Sequence, residues 1–222
     1  MWRDALLVAG KDLRIEARSR VTTNQVAPYA LLVLLLFGFA FDQDHQLLVR
    51  AAPGLFWVSV LFCALLAIAR SFAVEAADGA RDGLRLFGLD PAGVFLGKAA
   101  AVFVELVALE ILLGAGIVVL FGTNLRGWGL LLITALLATA GLAASGTVYG
   151  IMSAGLRVRE TLLPLLMLPV LAPVLLSATQ AWRAALGLSG GDGSQWLVLL
   201  GSFAAIYLAL GVLGFGTLLE AA

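Results

Sequence analysis

Residues 127–156 read GWGLLLITALLATAGLAASGTVYGIMSAGL, thirty positions without one charged side chain. An α-helix needs about 20 apolar residues to cross the roughly 30 Å hydrocarbon core of a bilayer, so this run is long enough to span one. Uncharged runs also occupy 21–41, 51–69, 161–182 and 193–219. A further run, 99–122, is as apolar but contains Glu105 and Glu110. None alternates with the period of two that a barrel strand requires, and only helices and closed barrels satisfy their own backbone polar groups in lipid. The expectation is an all-α integral membrane protein. Six transmembrane helices are predicted at 21–41, 51–69, 99–122, 128–150, 161–181 and 196–219, within a single membrane domain over 1–222.

Composition agrees. Of 222 residues, 62% are hydrophobic and 13% charged, with a mean hydropathy of +1.04. A soluble domain carries about 25% charged residues to keep its surface hydrated. The formal net charge of zero and the single cysteine argue against a nucleic-acid binder and a disulfide scaffold.

Orientation follows from the Lys and Arg flanks. Five precede the first span (Arg3, Lys11, Arg14, Arg18, Arg20), four lie between the second and third (Arg70, Arg81, Arg85, Lys98), and two between the fourth and fifth (Arg157, Arg159). The alternate side receives only Arg50, Arg126 and Arg183. Eleven against three predicts both termini on the cytoplasmic side. The lead over 1–20 is long and mixed in charge, unlike a cleavable signal, so the first apolar run is expected to persist as a span. The short far-side loops leave function to the bundle and its cytoplasmic face.

Two segments on that face have patterns of their own. Over 1–20, Trp2, Leu6, Ala9, Leu13 and Ala17 recur at helical spacing, with Lys11, Arg14 and Arg18 on another face. This predicts an amphipathic helix in the membrane interface, its cations among lipid phosphates; the plainer reading is a basic flank that only sets topology. In 70–98, Glu75, Asp78, Asp82 and Arg85 share one helical stripe, and Ala73, Ala77, Ala80, Leu84 and Phe87 an opposite one. Gly79 and Gly83 each cost a helix about 1 kcal/mol relative to Ala, which suggests a break at Gly79 or a close approach by a partner. Asp90-Pro91 is expected to end this helix. The segment is either a contact for a soluble partner or a solvated connector.

At this point the chain resembles a known family. The run RSFAVEAADG from Arg70, then Leu84, Asp90-Pro91 and KAA from Lys98, is similar to the cytoplasmic loop of the cytochrome c maturation permease, also called heme exporter protein B. KDLRIEARSR from Lys11, APGLFWV from Ala52 and RETLLPLLMLPVLAPVLL from Arg159 match in the same order. The Gly-rich loop at 187–195 departs from the family pattern. The resemblance implies the permease half of an ABC transporter of type-2 exporter architecture, in the bacterial inner membrane. It implies a separate ATP-binding subunit (maturation protein A), maturation proteins C and D, heme chaperone E, and a second copy of this chain. Heme is then the cargo of the system and ATP the ligand of the partner. The residues agree with that division: Gly10-Lys11 and Gly97-Lys98 are followed by Asp12 and Ala99, not by the Ser/Thr of a phosphate-cradling loop. The resemblance also implies that the 75–85 helix couples to the ATPase, with Glu75, Asp78, Gly79, Arg81, Asp82 and Arg85 at the contact. The chain is expected to be a non-catalytic subunit.

Heme handling usually calls for an axial His, Cys, Met or Tyr. The one histidine, His45, lies in the first far-side loop, where it could ligate heme or be merely solvated. Cys63 falls in mid-span among apolar residues, where a thiol is normally a small hydrophobe. Met152 and Met167 read as packing. Glu105 and Glu110 are costly at bilayer depth and so should face the bundle interior or a partner; five residues apart, they point about 140° away from each other and form no dyad. They serve either as packing hydrogen bonds or as a polar pathway. Gly93-x-x-x-Gly97 and Gly146-x-x-x-Gly150 should let helices approach closely. Pro164, Pro169 and Pro173 should kink the fifth span. Trp57, Trp128, Trp182 and Trp196 are expected in interfacial belts. Two other readings stay open: a type-2 permease exporting a lipid, polysaccharide or drug, and a non-transporting scaffold for the heme-handling subunit. An intramembrane enzyme has no paired carboxylates, metal cluster or Ser/His constellation to support it.

Overall fold

The computed structural model describes residues 1–20, 22–41, 44–77, 89–123, 125–154 and 159–221. They form α1 (Trp2–Ser19), α2 (Ala27–Ala40), α3 (His45–Ala77), α4 (Pro91–Phe121), α5 (Trp128–Ala154), α6 (Arg159–Ala185) and α7 (Ser194–Ala221), with a π turn, Thr22–Val26, leading into α2. No strand occurs among the described residues. The described residues thus form an all-α bundle with the span lengths and composition of an integral membrane protein. Five helices, α3 to α7, are long and apolar enough to cross a bilayer, and the bent pair of α1 with Asn24–Ala40, at 51°, supplies a sixth candidate.

Helix ends depart from expectation where charge was taken as the boundary. α3 continues through Arg70 to Ala77, so Glu75 rides on its last turn instead of a separate helix. The helix expected to end at Asp90-Pro91 falls on 78–88, outside the described residues; the pair itself begins a helix, Asp90 as the extended N-cap of α4 and Pro91 as its first residue. Pro is suited to that position because its missing N–H would have no helical acceptor there. Asp78, Gly79, Arg81, Asp82, Gly83 and Arg85 lie outside the described residues. The three prolines of α6 are accommodated within one helix, and Ser177 Oγ donates to the Pro173 carbonyl at 2.6 Å.

α4 packs against α1, α2, α3, α5 and α7, and α5 against α3, α4, α6 and α7. Its small residues permit this. Gly146 lies beneath Ile68 and Met167, and Gly150 beneath Phe72, with no room for a Cβ at either. The Gly146-x-x-x-Gly150 expectation of close helix approach is met by α3. On α7, Gly211 receives the Phe95 ring of α4 in the same manner.

An aromatic cluster fills the other half of the bundle. Phe56 stacks on Trp182 at 4.0 Å between centroids, and Trp57 meets both edge-on. Trp182 Nε1 donates to the Leu131 carbonyl at 3.3 Å. Trp57 is wholly buried and Trp182 nearly so, so neither belongs to an interfacial belt. Nearness to a span end in sequence does not tell whether a ring faces lipid or a neighbouring helix. Trp128 is 73% exposed and Trp196 half-buried.

Candidate functional site

α1 lies directly on the first turns of α4 because Gly93 and Gly97 leave a notch there. A Cβ on Gly93 would stand 2.7 Å from the Met1 carbonyl oxygen, and one on Gly97 would stand 2.6 Å from that of Ala5 and 2.7 Å from Val8 Cβ. Ala5 and Val8 are the buried residues of α1. The expected apolar stripe is therefore offset from the packed face: Trp2 and Leu6 are 71% and 75% exposed.

Charge secures this contact. Lys98, 1% exposed, sends Nζ to Asp12 Oδ2 at 3.3 Å and to Ser71 Oγ at 3.3 Å, and lies 4.8 Å from the centroid of the Phe72 ring. A buried ammonium persists only if it is paired and hydrogen-bonded. Here α1 supplies the carboxylate, α3 the hydroxyl and ring, and α4 the cation. On α3, Arg70 Nε stands 3.3 Å from Glu16 Oε2, while Nη2 donates to Ser19 Oγ at 2.7 Å. On α4, the Asp90 backbone N–H donates to Asp4 Oδ2 at 3.3 Å. One short helix thus grips the end of α3 before 78–88 and the start of α4 after it.

Of the residues singled out from sequence, Glu75 alone of the coupling set lies in a described helix, and the cluster it would serve went unforeseen. One signal was available: at about 100° per residue, Asp4, Asp12 and Glu16 fall within about 120° of one face of α1, which a solvated helix has no reason to arrange. Their partners across the helix contact, Asp90, Lys98 and Arg70, lie 54 to 86 residues away in sequence and leave no local signature.

The intramembrane glutamates differ. Glu110 is buried and accepts a hydrogen bond from Thr139 Oγ1 of α5. Glu105 is half-buried and also partnered. They do not share a site. His45, the first residue of α3, is exposed and packs its ring toward Gly122, which ends α4 at φ 64°. It borders a groove with Leu35, Phe39 and Val119. Cys63 is buried and Met167 wholly so, while Met152 is exposed. Among the described residues, no three His, Cys, Asp or Glu side chains converge on a point that could hold a metal.

A bundle of apolar spans, held at one end by an ion-paired helix that bridges two of them, is a multi-pass membrane protein. The chain belongs to the CcmB protein family, whose family model matches residues 3–221. It is similar to heme exporter protein B of Haemophilus influenzae, at 32% identity over 87% of both chains, and to that of Paracoccus denitrificans, at 32% over 93% of both. Heme exporter protein B of Pseudomonas aeruginosa is 30% identical over 93% of this chain and 91% of its own.

Proposed function

We propose that this chain is the permease subunit of an ABC complex in cytochrome c biogenesis. ATP hydrolysis by a separate ATP-binding subunit, maturation protein A, is coupled through it to delivery of heme, or release of the heme-loaded chaperone E, on the extracytoplasmic side. The names of the relatives support heme as the cargo. The 11-to-3 bias of Lys and Arg supports a cytoplasmic location for both termini, in the bacterial inner membrane. A dimeric ATPase calls for two copies of the chain, working with maturation proteins C and D.

The observation that carries the coupling reading is the α1 clamp. Asp12–Lys98, Glu16–Arg70 and Asp4–Asp90 join α1 to α3 and α4 on both sides of 78–88. A partner that displaces the segment through Glu75, Asp78, Gly79, Arg81, Asp82 and Arg85 therefore moves three helices together. The chain needs no catalytic residue for that role. The test is the double reversal Glu75→Lys/Asp78→Lys in the assembled complex. It should lower coupled ATP hydrolysis and cytochrome c maturation while the permease remains inserted. Unchanged assembly and unchanged ATP turnover would remove the assignment.

A further inference from the structure

The charges of α1 are sorted by sign. Asp4, Asp12 and Glu16 turn toward α3 and α4, where the Asp90 N–H, Lys98 and Arg70 meet them. Arg14 and Arg18 are exposed beside that face. Together with Lys11, which also contacts Asp12 at 3.0 Å, they line a shallow groove of about 360 Å³ with Leu6, Leu7 and Ile15. Gly10 forms its floor: a Cβ there would meet nothing within 4 Å. The three apolar residues are 75%, 58% and 37% exposed.

We propose that this groove is a binding site for an acidic phospholipid of the bilayer. Two exposed guanidiniums, each able to fork onto phosphate oxygens, stand over an apolar trough that fits the upper part of an acyl chain. The helix runs into a membrane span, which places the groove at headgroup level. A zwitterionic lipid carries its own cation and would leave the arginines uncompensated, so the charge arrangement selects a net negative headgroup. A protein partner would need both an acidic patch and an apolar ridge at the bilayer surface, which the lipid supplies without further assembly. The site goes beyond the coupling role and holds whatever the cargo.

The test uses the full-length chain in nanodiscs of phosphatidylcholine containing 0 or 30% phosphatidylglycerol, with native mass spectrometry counting the lipids retained. The wild type should keep phosphatidylglycerol selectively. Each cation near an anionic surface is worth about fivefold, so R14Q/R18Q should reduce that selectivity by about 25-fold. R50Q/R126Q removes the same charge from exposed positions at the other end of the spans and should leave selectivity unchanged. G10L, whose Cβ meets nothing within 4 Å, puts a side chain into the groove and should also displace the lipid, at unaltered helical content. Equal retention by the wild type, R14Q/R18Q and G10L would overturn the site. So would R14Q/R18Q or G10L losing capture of the ATP-binding subunit with lipid selectivity intact, since the face would then be a protein contact.

Discussion

Lys98 and Asp12, 86 residues apart in sequence, meet at 3.3 Å where α1 crosses α4. The lysine is buried and the carboxylate only 13% exposed. Removing one partner of a buried pair costs about 3–5 kcal/mol, because the remaining charge stays desolvated. Asp12→Asn is therefore expected to lower unfolding stability in detergent toward the lower part of that range, given the partial access of water to Asp12. The apolar double variant Asp12→Leu/Lys98→Met should recover most of the loss. A double-mutant cycle with no coupling would mean that the pair does not hold α1.

Gly97 and Gly114 are both interior to α4 but predict opposite outcomes. Gly114 faces open space, so Gly114→Ala should be neutral or stabilising by up to about 1 kcal/mol from helix propensity alone. Gly97→Ala places a methyl 2.6 Å from the Ala5 carbonyl oxygen. It should destabilise by about 1–3 kcal/mol as α1 is forced away. Thermal unfolding of the two variants in one detergent separates them, and a similar effect for both would discount the notch.

Glu110 supplies the acceptor oxygen for the buried Thr139 hydroxyl. Glu110→Gln keeps a carbonyl oxygen and should leave stability within about 1 kcal/mol, whereas Glu110→Ala strands a buried hydroxyl at about 1–3 kcal/mol in addition to the lost packing. If Glu110→Gln abolishes cytochrome c maturation while assembly stays normal, the carboxyl has a role in the pathway beyond packing.

The tryptophans should separate by accessibility. Single-Trp variants retaining only Trp57 should emit to the blue and resist quenching by acrylamide. Those retaining Trp2 or Trp128, which are 71% and 73% exposed, should respond to quenchers placed at headgroup depth. Equal quenching of Trp57 would contradict its burial edge-on to Phe56.

The spans of α3 to α7 were legible in the sequence because lipid tolerates so few charges, whereas the run 21–41 holds a π turn and only the 14-residue α2; the glycine pairs at 93/97 and 146/150 did mark close approaches. Helix ends were less legible. Arg70 and Lys98 looked like boundaries, yet a helix can carry such residues onward when a carboxylate from another element meets them, as Glu16 and Asp12 do. The α1 cluster was hidden because its partners come from three separate stretches and share no period. Trp57 was misplaced for a related reason, since its partner Trp182 lies on another helix.

The lengths of α3 and α4 have a mechanical consequence. At 1.5 Å per residue, their 33 and 31 residues make rods of about 50 and 46 Å, against a hydrocarbon core of about 30 Å. Some 15–20 Å of each is therefore overhang, and α1 splints the two together at the end that frames 78–88. Pivoting about its middle, such a rod tilted by about 10° carries its tip through about 4 Å, from the same rise per residue. The splinted pair has the proportions of a lever, by which a small stroke at the membrane surface would change helix tilt throughout the bilayer.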